Sequence, residues 1–118
     1  MAVISFGDTS KQVWGGSGWA VRQVLKDVRP YAEGNDRFLA ALANAELSGY
    51  LLVDDLEPDL RRVVIVAIQQ MCIDIISGAR PSTIKESLPG DRAAHDLYSE
   101  LIDDLLSLAN AAADLIPN

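Results

Sequence analysis

Five carboxylates lie on one side of the predicted C-terminal helix. Residues 93–118 contain no lysine or arginine. At about 100° per residue, the acids of this acidic face occupy about a third of the helix circumference. They are Asp96, Glu100, Asp103, Asp104 and Asp114. Such an array can attract a basic protein, because complementary charge raises the rate and selectivity of association. It would bind a metal ion weakly, since side chains of one straight helix cannot surround the ion.

Two other interpretations of the acidic face require no partner. The face can be a solvated surface that keeps the protein soluble, or it can be neutralised by Arg22, Lys26 and Arg29 of the predicted first helix. Like-charge pairs four residues apart each cost about 0.2–0.5 kcal/mol in an isolated helix, which a folded core can offset. The position of the first helix therefore decides whether the acidic face is available to a partner.

Other residue types that carry chemistry are sparse. The single histidine, His95, precedes Asp96, but adjacent helical residues do not face each other, so the two form no catalytic pair. His95 and the single cysteine, Cys72, have no metal-ligand spacing, and Cys72 lies in an apolar run typical of a buried thiol. The sequence therefore predicts a protein that is not an enzyme and that uses no metal and no cofactor.

A glycine-rich turn at residues 15–18 is flanked by Trp14 and Trp19. Free N–H groups before a helix can bind an anion, but this turn lacks the Lys-Ser/Thr pair of a phosphate-binding loop. Tryptophan is common among interface anchors, so the pair can form an exposed recognition element or cover the hydrophobic core. We favour the core, and small-ligand binding at this loop is the third functional alternative.

A second candidate interface lies on the predicted third helix. Val66 and Ile73 are seven residues apart and fall on the side that Arg62, Gln69 and Gln70 mark as polar. These two branched residues can contact a partner or another subunit. Alternatively, the domain itself covers this helix nearly all round, as the apolar run at residues 63–68 indicates. The second interpretation is the favoured one.

Length and charge exclude several classes of function. A chain of 118 residues predicts a single domain, 1–118. Its net charge of −7 argues against binding to nucleic acid or to an anionic membrane, because both require clustered lysine and arginine. One cysteine permits no internal disulfide, and we find no leader sequence and no apolar run long enough to span a bilayer. We therefore expect a cytoplasmic protein.

Helical periodicity and capping residues predict four core helices, at about 18–29, 36–48, 57–77 and 91–116. Ser17, Asn35 and Asp91 are placed to cap three of them, and Gly49 and Gly78 to end two. One short helical turn is expected at 84–87. The apolar seam predicted for the last helix is Ala94, Tyr98, Leu101, Leu105, Leu108, Ala112 and Leu115.

The resulting fold prediction is all-α: a compact bundle of about four helices with an irregular, glycine-rich N-terminal segment. Residues 1–18 form an extended or irregular arm. Segments 2–6 and 50–53 can be short strands that pair with each other, although periodicity does not decide this.

Charge and size favour a small protein-interaction module whose acidic face binds a basic protein. The specific hypothesis is an immunity or antitoxin-type protein that neutralises a basic toxin or nuclease, because enzymes that bind nucleic acid are basic. The alternative is a structural or regulatory subunit without catalytic activity, which self-associates, for example as a homodimer, through the third or fourth helix.

Overall fold

The computed structural model describes residues 2–7, 12–15 and 17–115. These residues form five α-helices and three short strands. In chain order the elements are β1 (Val3–Ser5), β2 (Val13–Gly15), α1 (Gly18–Val28), α2 (Asp36–Ser48), β3 (Tyr50–Leu52), α3 (Pro58–Ser77), α4 (Ile84–Ser87) and α5 (Arg92–Asp114). Single turns of 3₁₀ helix follow α1 at Arg29–Ala32 and β3 at Val53–Asp55.

The helix boundaries agree closely with the prediction. The α2 helix has the predicted bounds, because Asn35 accepts a hydrogen bond from the Phe38 N–H at its start and Gly49 adopts a left-handed conformation at its end. Asp91 caps α5 in the same way. Ser17 does not cap α1, since its side chain accepts no hydrogen bond there. The predicted end of α5 at residue 116 lies outside the described residues.

The all-α prediction is correct only in part, because the molecule is mostly helical but also contains a small three-stranded sheet. Its strand order is β2-β1-β3, with β1 antiparallel to β2 and parallel to β3. The pairing of segments 2–6 and 50–53 is thus present, whereas β2 was not predicted. Gly15 closes the β1–β2 pair at φ 135°, where an added Cβ would lie 2.5 Å from the Ala2 carbonyl oxygen.

The longest two helices, α3 and α5, pack side by side and run antiparallel. Gln69 Nε2 donates to Asn110 Oδ1 at 2.8 Å, and Ile76 of α3 lies close to Ser99 and Asp103 of α5. The residues of α5 that are buried are Tyr98, Ile102, Leu105, Ala109 and Ala112. The predicted seam was therefore rotated: Leu101 and Leu108 are only partly buried, and Leu115 is 70% exposed.

The core continues from this helix pair into the sheet and α1. Ile4 of β1 and Val24 of α1 are completely buried, as are Phe38 of α2 and Ile68 of α3. Among the described residues no helix is both long and apolar enough to cross a membrane. The packing leaves one broad side of α5 and one side of α3 facing solvent.

Candidate functional site: the acidic face of α5

The packing of α5 places all five acids of the acidic face in solvent. Asp96, Glu100, Asp103, Asp104 and Asp114 are each exposed, because the opposite side of the helix is buried against α3 and the rest of the core. From first to last they span about 27 Å at about 1.5 Å per residue. The sequence located these residues on the correct side of the helix even though it misplaced the centre of the buried seam.

Among the described residues no ion pair joins the basic side chains of α1 to the acidic face. Arg29 pairs with Glu46 of α2 at 3.6 Å, and Lys26 Nζ donates to Ser87 Oγ at 3.4 Å. Within residues 2–7, 12–15 and 17–115, the other ion pairs join Arg37 to two acids at the start of α3. None of the ion pairs involves an acid of the acidic face, and Arg22 takes part in none of them.

One acid of the face influences the interior beneath it. Cys72 of α3 is completely buried, and this burial, together with the negative charge of Asp103, raises the pKa of its thiol to about 12. A thiol that stays protonated is a poor nucleophile and a poor metal ligand. Cys72 therefore belongs to the core, as its apolar surroundings in the sequence predicted.

The exposed side of α3 borders the acidic face. Val66 is 54% exposed and Ile73 47%, and Ile76, one turn further on, is 53% exposed. The favoured interpretation, that the domain covers this helix nearly all round, is therefore wrong. A groove of about 220 Å³ between the two helices is lined by Ile76 on one side and by Asp103 on the other. Apolar and acidic side chains thus meet at this groove, whereas Val66 borders a separate surface pocket beside Tyr31.

The two tryptophans face inward. Trp14 is 3% exposed, and its indole N–H donates to the backbone carbonyl of Leu101 at 2.8 Å. Trp19 is half-buried, with its ring centroid 6.4 Å from that of Tyr98. Both positions agree with the favoured core interpretation. Gly16 of the turn between them lies outside the described residues.

A buried carboxylate in α1 was not predicted. Asp27 is 7% exposed and accepts hydrogen bonds at both oxygens. Ser82 and Tyr98 donate to Oδ2 at 2.5 and 2.8 Å, and the Thr83 N–H and hydroxyl donate to Oδ1 at 3.0 and 2.9 Å. Burial and the charge of Asp27 raise the pKa of Tyr98. The network joins α1 to the α3–α4 connection and to α5, so it fixes the orientation of the helix that carries the acidic face.

Polar side chains elsewhere in the described part of the chain form no metal-site cluster. The His95 ring Nε2 lies 2.8 Å from the carbonyl oxygen of Leu88, just before α5, and the ring is partly buried. Among the residues that the structure describes, no three histidine, cysteine, aspartate or glutamate side chains are grouped as a metal site requires. The arrangement of α5 is suited to contact with another molecule through charge.

Comparison of the chain with protein families, with curated proteins and with solved structures gave no match. The functional argument therefore rests on the acidic face and its surroundings.

Proposed function

We propose that this protein is a small interaction module whose acidic face on α5 binds a basic protein. The observation that carries the proposal is that five exposed carboxylates on one helix have no cationic partner among the described ion pairs. In its specific form, the proposal is that the acidic face binds and neutralises a basic toxin or nuclease. An acidic surface of this length can occupy the nucleic-acid-binding site of such an enzyme.

The core supplies the rigidity that a binding surface requires. The opposite side of α5 is buried at Tyr98, Ile102 and Leu105. The Tyr98 hydroxyl also donates a hydrogen bond to Asp27 of α1. A partner would therefore meet carboxylates on a preorganised helix, and little ordering entropy would be lost from the backbone on binding. Charge at an exposed rim acts mainly on the association rate, so binding should weaken steeply with added salt.

Affinity capture from the source cells at low and high salt tests this proposal. The Glu100→Lys/Asp104→Lys variant should fold normally and lose the salt-sensitive partner that the native chain captures. Glu33→Lys/Glu86→Lys is the matched control, because it changes the net charge equally at two exposed acids outside α5. If the partner binds Glu100→Lys/Asp104→Lys as well as it binds the native chain, the acidic face is not the binding site.

A second candidate function is self-association through α3, which the exposure of Val66 and Ile73 favours. Light scattering separates the two candidates. A dimer that persists at high salt supports self-association, and a monomer supports a separate basic partner.

A further inference from the structure

We propose that the basic partner presents an amphipathic α-helix that lies along the α3–α5 groove. Its apolar side would pack on Val66, Ile73 and Ile76, and its lysine or arginine side would face the acids of α5. This inference rests on the proposed function and adds the chemistry of the partner segment. It is carried by the exposed apolar row on α3 and by the groove in which one member of that row, Ile76, lies beside Asp103 of the adjacent helix.

The spacing of the apolar row fits a helix. Val66 and Ile73 are separated by seven residues, or about 10.5 Å at about 1.5 Å per residue, and Ile76 follows one turn later. A partner helix with apolar residues at positions i, i+7 and i+10, or at i, i+3 and i+10 in the opposite direction, would match this row, and helices commonly dock into grooves through such a side. The three side chains of the row are each about half exposed, so each retains apolar surface that a partner can remove from water.

The charges fix the orientation of the partner helix about its own axis. Asp103 and Ile76 both line the groove, and Asp96 and Asp114 lie on the same side of α5 as Asp103. A helix whose apolar residues face α3 therefore turns its neighbouring side toward carboxylates. Lysine or arginine there is favoured, whereas aspartate or glutamate is repelled.

The same charges disfavour a second copy of this chain as the occupant. Two copies related by a two-fold axis through this surface would bring their acidic faces close together. The α5 helix has no lysine or arginine after Arg92 with which to offset that repulsion. A basic segment of a different protein fits both the apolar row and the acids.

A pair of synthetic peptides tests the inference directly. The first is a lysine–leucine helix of about 18 residues, long enough to span the acidic face at about 1.5 Å per residue. The second has the same lysines, with every leucine replaced by glutamine. Fluorescence anisotropy measures affinity for the native chain at low salt, and amide chemical shifts locate the contact. We expect the lysine–leucine peptide to bind about tenfold more tightly or better, with shifts at Ile73 and Asp103.

Variants of the protein separate the apolar contribution from the charge. Val66→Gln/Ile73→Gln should remove the advantage of the lysine–leucine peptide and leave binding of the lysine–glutamine peptide unchanged. Leu47→Gln/Leu52→Gln is the matched control, since Leu47 and Leu52 are also exposed but belong to α2 and β3. This control should bind both peptides as the native chain does.

Three results would overturn the inference. If both peptides bind equally and only acid reversal at α5 weakens them, charge alone makes the contact, and the proposed function stands without the apolar groove. If neither peptide binds, the groove does not accept a basic helix, and capture of the cellular partner decides the proposed function separately. If the native chain is a dimer that Val66→Gln/Ile73→Gln converts to a monomer, the occupant is a second copy.

Discussion

Replacement of Asp27 should destabilise the protein more than any change on the acidic face. Its carboxylate is buried and accepts four hydrogen bonds of 2.5–3.0 Å, from Ser82, the N–H and hydroxyl of Thr83, and Tyr98. A fifth, weaker bond of 3.3 Å comes from Gln23. Carboxylate acceptors make hydrogen bonds that contribute about 1.5–3 kcal/mol each, although these contributions are not additive.

Asp27→Ala and Asp27→Asn should differ in a predictable order. Alanine leaves the Thr83 N–H and the buried Tyr98 hydroxyl without an acceptor, and each unsatisfied group costs about 1–3 kcal/mol. We therefore expect Asp27→Ala to lower the free energy of unfolding by about 2–5 kcal/mol. Asparagine keeps one oxygen for the Thr83 N–H, and the hydroxyls of Ser82 and Tyr98 can rotate to accept from its amide. Its cost should be smaller, about 1–2 kcal/mol.

Urea denaturation followed by circular dichroism and tryptophan fluorescence measures both free energies. Trp19 contacts the ring of Tyr98, so its emission reports on the same region as the network. Tyr98→Phe combined with Asp27→Asn completes a double-mutant cycle, in which the two costs should be less than additive because the residues share one hydrogen bond. Our account of the network is refuted if the free energy of unfolding of Asp27→Ala lies within about 0.5 kcal/mol of that of the native chain. It is also refuted if Asp27→Asn lowers the free energy of unfolding more than Asp27→Ala does.

Two further predictions concern charge and pH. Glu100→Lys/Asp104→Lys should change the free energy of unfolding by no more than about 0.5 kcal/mol in urea titrations. Position 100 then attracts Asp96 instead of repelling it, while positions 100 and 104 still repel each other on an exposed surface. A larger loss would mean that these acids contribute to stability. Stability should fall as pH rises above 9, because the pKa of Cys72 increases from 9.0 to about 12 on folding and the unfolded chain loses the thiol proton first. This group alone should cost about 1.4 kcal/mol at pH 10, with Tyr98 adding to the loss above that pH. Cys72→Ala should flatten the decline between pH 9 and 10, and an unchanged slope would contradict this assignment.

The sequence predicted the helices well because their ends carry local signals. Asn35, Gly49 and Gly78 act through hydrogen bonds and backbone angles within a few residues, and such signals can be read from the chain itself. The acidic face was predictable for the same reason, since helical periodicity determines which side chains share a side.

Features that depend on distant partners could not be predicted in the same way. β2 has only three residues, ends at Gly15, and is held by pairing with β1 and by the Trp14 hydrogen bond to α5. The burial of Asp27 likewise depends on donors 55–71 residues further along the chain. The exposure of Val66 and Ile73 on α3 was not predicted, because the apolar run at residues 63–68 indicates a buried helix. In the structure α5 and α1 cover only part of that helix.

The topology of the small sheet has a kinetic consequence. Val3 of β1 pairs with Tyr50 of β3, and Trp14 is hydrogen-bonded to Leu101, 87 residues away. Chains whose native contacts are distant in sequence fold more slowly than helical proteins with mainly local contacts, because loop closure precedes the favourable contacts. We therefore expect this protein to fold more slowly than an up-and-down bundle of the same length. Its N-terminal strands should become protected from amide hydrogen exchange only after α5 has docked.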